Sequence, residues 1–317
     1  MEIIATVSNI VDYELNYLKL LNKSNVLKYR INCAKMKNVI DLKSDIDNIR
    51  KISKRNHIIL DIPYPGKKMR IKTDVTLNVK KGEIRKLIKS EEYSNDKFLC
   101  VSDIASNLHV NDILWINVGE GKFKVIDITE KDEIILQAQN TFVIYNTKAL
   151  IGGDIIKNNN DYMDVIKQVR PESVAFSFVE NAKDIIEHSI VLKDMGIETI
   201  AKIETEKGVK NIRDILKYFD SVMIARGDLA LNMDMREFTN IQMKLARETK
   251  KNKKKCILAT GIGESLIYGG APSRADLSDF DLIKRMRPDA LVLTRNVIMG
   301  EEIDNVLSTI RYLLRGI

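Results

Sequence analysis

Residues 199–229 read TIAKIETEKGVKNIRDILKYFDSVMIARGDL, and this stretch narrows the possible folds more than any other part of the chain. Two apolar runs of strand length, residues 199–203 and 221–225, flank a segment with helical cues. Gly208 stands near its start, and Val209, Ile212, Ile215 and Leu216 recur at helical spacing. That order is a strand–helix–strand crossover, the repeating unit of a parallel α/β sheet. Each strand ends in charge, the first at Lys202 and Glu204, the second at Arg226, Gly227 and Asp228. Parallel strands bring such ends to one carboxyl-terminal edge, where ligands bind. Two carboxylates and a lysine on one edge suit a divalent cation gripping an anionic substrate beside a charge-stabilising ammonium. The same residues also suit surface ion pairs, Glu204 with Lys202 and Asp228 with Arg226. Spacing alone leaves both readings open.

At 317 residues the chain is long enough for one barrel of about 250 residues and an insert. Its 44% hydrophobic and 30% charged residues describe a soluble globular protein. No apolar run approaches the roughly 20 residues of a membrane span, and the N-terminus MEIIATVSNIVDYEL is no signal peptide. No membrane partner is expected. Cys33, Cys100 and Cys256 lack a CxxC spacing, which argues for a reducing compartment, so the expected location is cytoplasmic. Three histidines, His57, His109 and His188, argue against a zinc site or a histidine triad. The net charge of +7 is spread along the chain, with one local run, KKNKKK, at 250–255. No aromatic residue interleaves with that run for base stacking. It is expected to be a solvated helix end, where lysines favour the dipole, and nucleic acid is not expected as a partner.

The segments AKIETEKGVKNI and SVMIARGDLAL resemble the pyruvate kinase family, whose barrel has a K-I-E strand end and an M-V-A-R-G-D-L strand end. The resemblance implies a (β/α)₈ barrel (a TIM barrel) with a small inserted β-rich lid domain. It implies that Lys202 stabilises charge on the phosphoryl group and the enolate. It also implies that Glu204 and Asp228 hold Mg²⁺ or Mn²⁺, and that the backbone around Gly227 touches substrate.

Similar matches run along the chain. The apolar run 26–31 leads into Asn32, Cys33, Ala34 and Lys35, which resembles the family's A-R-x-N-F-S-H. Arg30 then corresponds to an arginine binding the substrate phosphate, and Asn32 to a ligand of the monovalent-cation site. Ala34 and Lys35 replace a serine ligand and a histidine. HIILD at 57–61 leads into IPYPGKKMRIK, similar to L-D-T-K-G-P-E-I-R with two more residues. Asp61 matches the aspartate of the potassium site, and Ile62 replaces the adjacent threonine ligand. Arg70 matches an arginine near the nucleotide phosphates. Lys68 falls where potassium-independent members carry lysine, so an ammonium replaces the ion there. The expectation is an enzyme that does not require K⁺.

Residues 73–148 change to alternating strands with short turns, including ILWINV, KFKVIDI, EIILQAQ and FVIYN. The resulting division is residues 1–70 for the barrel's first part, 71–150 for the lid and 151–317 for the barrel's second part. Trp115 is expected in the lid core. The fourth strand, 173–178, continues as SFVENAKDI, similar to S-F-V-R-S-A-x-D but with no obvious chemistry, and Asn181 is a candidate N-cap. CILAT at 256–260 continues GIGESLI, similar to A-T-Q-M-L-E-S-M. Thr260 then matches the threonine beside the transferring phosphoryl group and the enolate face. APSRADLSD at 271–279 resembles P-T-R-A-E-x-S-D. After the eighth strand the family's S-G-E-T-A-x-G is replaced by TRNVIMG at 294–300. The family's C-terminal effector domain has no counterpart in these 317 residues.

The leading function implied is phosphoryl transfer from phosphoenolpyruvate to ADP, giving pyruvate and ATP, in glycolysis or a side branch. A second is a metal-dependent lyase acting on a pyruvate enolate, in aldolase or decarboxylase chemistry. A third, from another class, is a non-catalytic relative that binds a partner. The sequence leaves open whether the chain forms a homo-oligomer.

Overall fold

A computed structural model describes residues 1–7, 15–33, 39–63, 68–101, 104, 108–116, 119–129, 133–144, 149–151, 160–268, 270–299 and 302–315. It divides into two compact units, residues 1–63 with 160–317, and residues 64–159.

In the first unit the elements alternate in chain order. They are β1 (Glu2–Val7), α1 (Leu15–Lys23), β2 (Lys28–Asn32), α2 (Val39–Ile52), β3 (His57–Ile62), α3 (Asn160–Val169) and β4 (Ser173–Phe176). Then come α4 (Ile186–Asp194), β5 (Glu198–Ile203), α5 (Glu206–Lys210), α6 (Ile212–Ile215), β6 (Ser221–Ala225), α7 (Arg226–Leu231) and α8 (Phe238–Lys251). The unit ends with β7 (Lys255–Ala259), α9 (Arg274–Met286), β8 (Ala290–Leu293), α10 (Arg295–Ile298) and α11 (Ile303–Leu313). Among the described residues the eight strands pair in parallel and close into a barrel, β8 returning to β1. The chain therefore has the expected α/β barrel fold.

The strand period of two sorts each strand between lumen and helices. Ile4, Ile59, Ala175, Ile200, Met223 and Ile257 form one apolar cluster, the filling of the lumen. Their outward neighbours, such as Ala201, Ile203, Val222 and Ile224, pack with helix residues Leu245, Ile283 and Ile310 in the larger core. Below the lumen cluster a polar ring marks the strands' amino ends. Lys28 pairs with Glu2 at 2.7 Å, Lys255 with Glu198 at 3.1 Å, and His57 Nε2 lies 2.7 Å from Ser173 Oγ. Conserving the same period, positions two residues beyond the apolar layer face the opposite mouth. They include Thr6, Asp61, Ser177 and Lys202. The apolar lumen thus separates the polar ring at the strands' amino ends from the charged carboxyl-terminal mouth.

The crossover of residues 199–229 forms as expected, with its helix broken into α5 and α6 at Asn211. Thr205 caps α5 by accepting the Gly208 N–H at 3.2 Å. Glycine is required at 208 because a Cβ there would lie 2.6 Å from the Val179 carbonyl oxygen. The lysine run at 250–255 is the end of α8 and the turn into β7, and Lys250, Lys251, Asn252 and Lys253 are exposed or at the cap.

Several expectations need correction. Thr260 lies outside β7, with a left-handed backbone (φ 77°), because the strand ends at Ala259. Ser177 and Phe178 lie past the end of β4. Asn181 precedes a short 3₁₀ turn but caps nothing, and its Oδ1 accepts from Asn211 Nδ2 at 3.0 Å instead. Ala34, Lys35, the start of the expected first helix and Gly300 lie outside the described residues.

Among the described residues the second unit holds a seven-stranded sheet and a two-stranded one. Lys68–Arg70 pairs with Ala149–Ile151 in the larger sheet, so strand pairing assigns residues 68–70 to the insert rather than to the barrel. The division falls at 63/64 and 159/160, where the sequence suggested 70/71 and 150/151. Its core centres on Leu87, Leu99, Leu114, Phe123, Leu136 and Phe142. Trp115 is not part of that core. Leu114 and Ile116 turn inward, which puts Trp115 on the other face, where Lys122 Nζ lies 5.3 Å from its ring centroid. Arg85 is buried, and its guanidinium donates to the carbonyls of Asn95 at 2.7 Å and Asn78 at 3.1 Å.

Candidate active site

The carboxyl-terminal mouth of the barrel gathers charge around Lys202, the last lumen-facing residue of β5. Its ammonium is 6% exposed. Nζ donates to Ser177 Oγ at 2.8 Å and Asp61 Oδ1 at 3.1 Å, and lies 3.3 Å from Glu204 Oε1. Burial lowers the pKa of Lys202, but the charges of Asp61 and Glu204 outweigh it, with a smaller contribution from Asp228. The net shift is upward, so the side chain stays an ammonium.

Asp61, at the end of β3, is 2% exposed. Its Oδ2 accepts from Arg30 Nε at 2.6 Å and lies 2.6 Å from Arg30 Nη2, while Oδ1 accepts from Lys202 and from Ser177 Oγ at 3.3 Å. Burial raises the pKa of Asp61, yet Arg30 and Lys202 together hold it below the ordinary carboxylate value. Arg30, half-buried on β2, also donates through Nη1 to Thr6 Oγ1 at 3.1 Å. Asn32 is the register neighbour of Asp61 on the adjacent strand. Ile62 is buried in the apolar core and offers no oxygen.

Glu204, one residue past β5, is 1% exposed, and its Oε2 accepts the Phe178 N–H at 2.6 Å. Val179 N–H donates to the Lys202 carbonyl at 3.2 Å. The loop after β4 therefore holds both Lys202 and Glu204. Sequence reasoning gave that loop no chemistry, and Ser177 is the residue it missed. The signal available was position, since Ser177 is the lumen-facing residue two beyond Ala175.

Gly227 and Asp228 lie half-buried in the first turn of α7. Asp228 acts electrostatically on Lys202, as Glu204 does, so the two carboxylates serve one ammonium from neighbouring strand ends. Thr260 follows β7 on the same mouth, and its carbonyl accepts from Arg226. Arg70 and Lys68 belong to the inserted unit, on the strand Lys68–Arg70.

This cluster carries two cations, Arg30 and Lys202, against three carboxylates, Asp61, Glu204 and Asp228. Left so, it repels a multiply charged anion. A divalent cation reverses that, and the donor set suits a hard ion such as Mg²⁺, which takes one or two carboxylates and completes its shell with water and substrate oxygens. No group of three or more His, Cys, Asp or Glu side chains poised for a metal occurs among the described residues. All three cysteines are free and buried. No helix among the described residues is long and apolar enough to cross a membrane.

A family model described as pyruvate kinase, barrel domain, matches residues 1–294. The chain is 26% identical to the pyruvate kinase of Pyrobaculum aerophilum over 278 residues, covering 82% of this chain and 59% of that protein. It is 31% identical to the pyruvate kinase of Buchnera aphidicola subsp. Schizaphis graminum over 263 residues, covering 77% and 54%. With the pyruvate kinase of Buchnera aphidicola subsp. Acyrthosiphon pisum it shares 28% identity over 321 residues, covering 95% and 66%. The chain spans 54–66% of the length of these three relatives.

Proposed function

The chain belongs to the pyruvate kinase family, and from that premise we propose that it transfers a phosphoryl group from phosphoenolpyruvate to ADP. The observation that carries the proposal is the buried ammonium of Lys202, held between Asp61, Ser177 and Glu204 on the ligand-binding mouth of the barrel.

On this reading Glu204 and Asp228 would hold a divalent cation, Mg²⁺ or Mn²⁺, and the chemistry it would supply there is neutralisation of charge on an anionic substrate. Arg30 and Lys202 face the phosphoryl oxygens from the protein side, and the charges of Asp61 and Glu204 keep Lys202 an ammonium. The bond from phosphorus to the enol oxygen breaks as a bond to a terminal β-phosphate oxygen of ADP forms. The electron pair left on the enol oxygen is stabilised by the fixed ammonium of Lys202. A proton taken up from solvent at C3 of that enolate then gives pyruvate, with Thr260 beside the reacting face. Little covalent chemistry falls to the protein, so positioning and fixed charge supply most of the acceleration. Backbone near Gly227, in a first helical turn whose N–H groups have no intrahelical acceptor, contacts the substrate carboxylate. Arg70 is assigned to the nucleotide phosphates.

K⁺ is not part of the proposal. Asp61, the counterpart of the family's potassium ligand, is already surrounded by Arg30, Lys202 and Ser177.

Steady-state kinetics with phosphoenolpyruvate, Mg²⁺ and a panel of nucleoside diphosphates test the reading. Formation of ATP that is lost on chelation supports it. Decarboxylation of oxaloacetate without any ATP formation favours the lyase alternative.

A further inference from the structure

Arg226 opens α7, immediately before Gly227 and Asp228, and is 7% exposed. Its fork does two jobs. Nε and Nη2 donate to the Thr260 carbonyl at 2.9 and 2.6 Å, and Nη2 also reaches the Gly261 carbonyl at 3.2 Å. Nη1 and Nη2 donate to Asp279 Oδ1 and Oδ2 at 2.5 and 2.9 Å. Asp279 stands on α9, a helix fixed at its start by Ser273, whose Oγ accepts the Asp276 N–H at 3.0 Å.

The carbonyls that Arg226 grips belong to a turn that the backbone disfavours. Thr260 has φ 77°, a left-handed conformation that a β-branched residue rarely adopts and that persists only where the surroundings enforce it. Gly261 follows at φ 70°, and a Cβ there would lie 3.7 Å from Arg226 Nη2. Released, Thr260 would relax to negative φ, turning its carbonyl and carrying its hydroxyl elsewhere. A planar guanidinium anchored bidentately on one side and donating to consecutive carbonyls on the other opposes that relaxation. A lysine has no such fork.

We propose that Arg226, held by Asp279, is a positioning residue that keeps Thr260 in its left-handed conformation. It thereby sets the Thr260 hydroxyl against the reacting group and in register with Asp228. The proposal rests on the phosphoryl-transfer reading for its consequence in rate, though not for its structural content.

The test uses the full chain carrying Arg226→Lys, Thr260→Ala, and both. Arg226→Lys keeps a cation for Asp279 but loses the two-sided fork. The expected result is a fall in kcat of about 10- to 100-fold with the KM for phosphoenolpyruvate nearly unchanged. In that background Thr260→Ala costs far less than in the wild type. Equal cost in both backgrounds overturns the proposal, as a purely structural tie would give additive losses. A crystal structure of Arg226→Lys supplies the second arm. Thr260 relaxed to negative φ supports the proposal, and Thr260 still left-handed overturns it. If the wild type forms no ATP, the phosphoryl-transfer reading fails while the crystal structure still decides the positioning. Should Arg226→Lys not fold, Asp279→Asn takes its place in both arms.

Discussion

Lys202 and Asp61 meet across the barrel mouth from strands β5 and β3, with Nζ 3.1 Å from Oδ1. Neither group is exposed enough for water to compensate it, so each depends on the other for its charge. Arg30 reaches the same carboxylate from β2, and one aspartate thus ties three strands and orients both cations assigned to substrate.

Asp61→Asn should therefore cost about 3–5 kcal/mol, since it leaves buried cations without their counter-charge. The pH dependence follows from the direction of the shifts. The pKa of Asp61 is depressed in the fold, so its contribution is present above the ordinary value of 3.8 and is lost as pH falls through the folded value. That of Lys202 is raised, so its contribution is present below 10.5 and is lost only as pH rises through a higher folded value. Urea unfolding of wild type and variant from neutral to acid pH checks this. The gap should narrow toward acid pH, and a constant gap would refute the coupling.

Ser177→Ala removes one of three partners of the Lys202 ammonium while leaving both carboxylates. A loss of about tenfold in kcat is expected, the worth of one charge-assisted hydrogen bond. Kinetics with phosphoenolpyruvate read it, and an unchanged kcat would reduce Ser177 to packing.

Turnover should be the same in K⁺ as in Na⁺ or an organic cation. Arg30, Lys202 and Ser177 already occupy the oxygens of Asp61, and Ile62 is buried in apolar core where the family has a ligand. Marked activation by K⁺ would contradict this.

Gly208→Ala should destabilise the fold by about 1–3 kcal/mol. The new methyl would press on the Val179 carbonyl at 2.6 Å, next to the loop whose Phe178 N–H holds Glu204. Thermal unfolding measures the effect, and a neutral result would mean that the loop yields easily.

Much of this was legible before any coordinates. The run 199–229 alone carries a period of two, a period of 3.6 and charges at both strand ends, which together allow few folds. A parallel sheet carries Lys202, Glu204 and Asp228 to one edge, but their expected roles come from the resemblance to the pyruvate kinase family rather than from spacing. Ser177 was not legible, since a serine after a strand has no local signature and its role exists only where β4 lies between β3 and β5. The left-handed Thr260 was hidden for a similar reason. Propensity continues the strand through a β-branched residue, whereas its carbonyl is held by the guanidinium of Arg226, 34 residues earlier. Trp115, expected in the lid core, lies on the other face because alternation with Leu114 and Ile116 decides it.

The central claim is that Lys202, Glu204 and Asp228 make one pocket for a divalent cation and an anionic substrate. Electron paramagnetic resonance of Mn²⁺, titrated into wild type and Glu204→Gln with and without phosphoenolpyruvate, tests it most directly. The account predicts that phosphoenolpyruvate tightens Mn²⁺ binding in the wild type and that Glu204→Gln abolishes the effect. Mn²⁺ binding that is indifferent to phosphoenolpyruvate, or unchanged in Glu204→Gln, would contradict it.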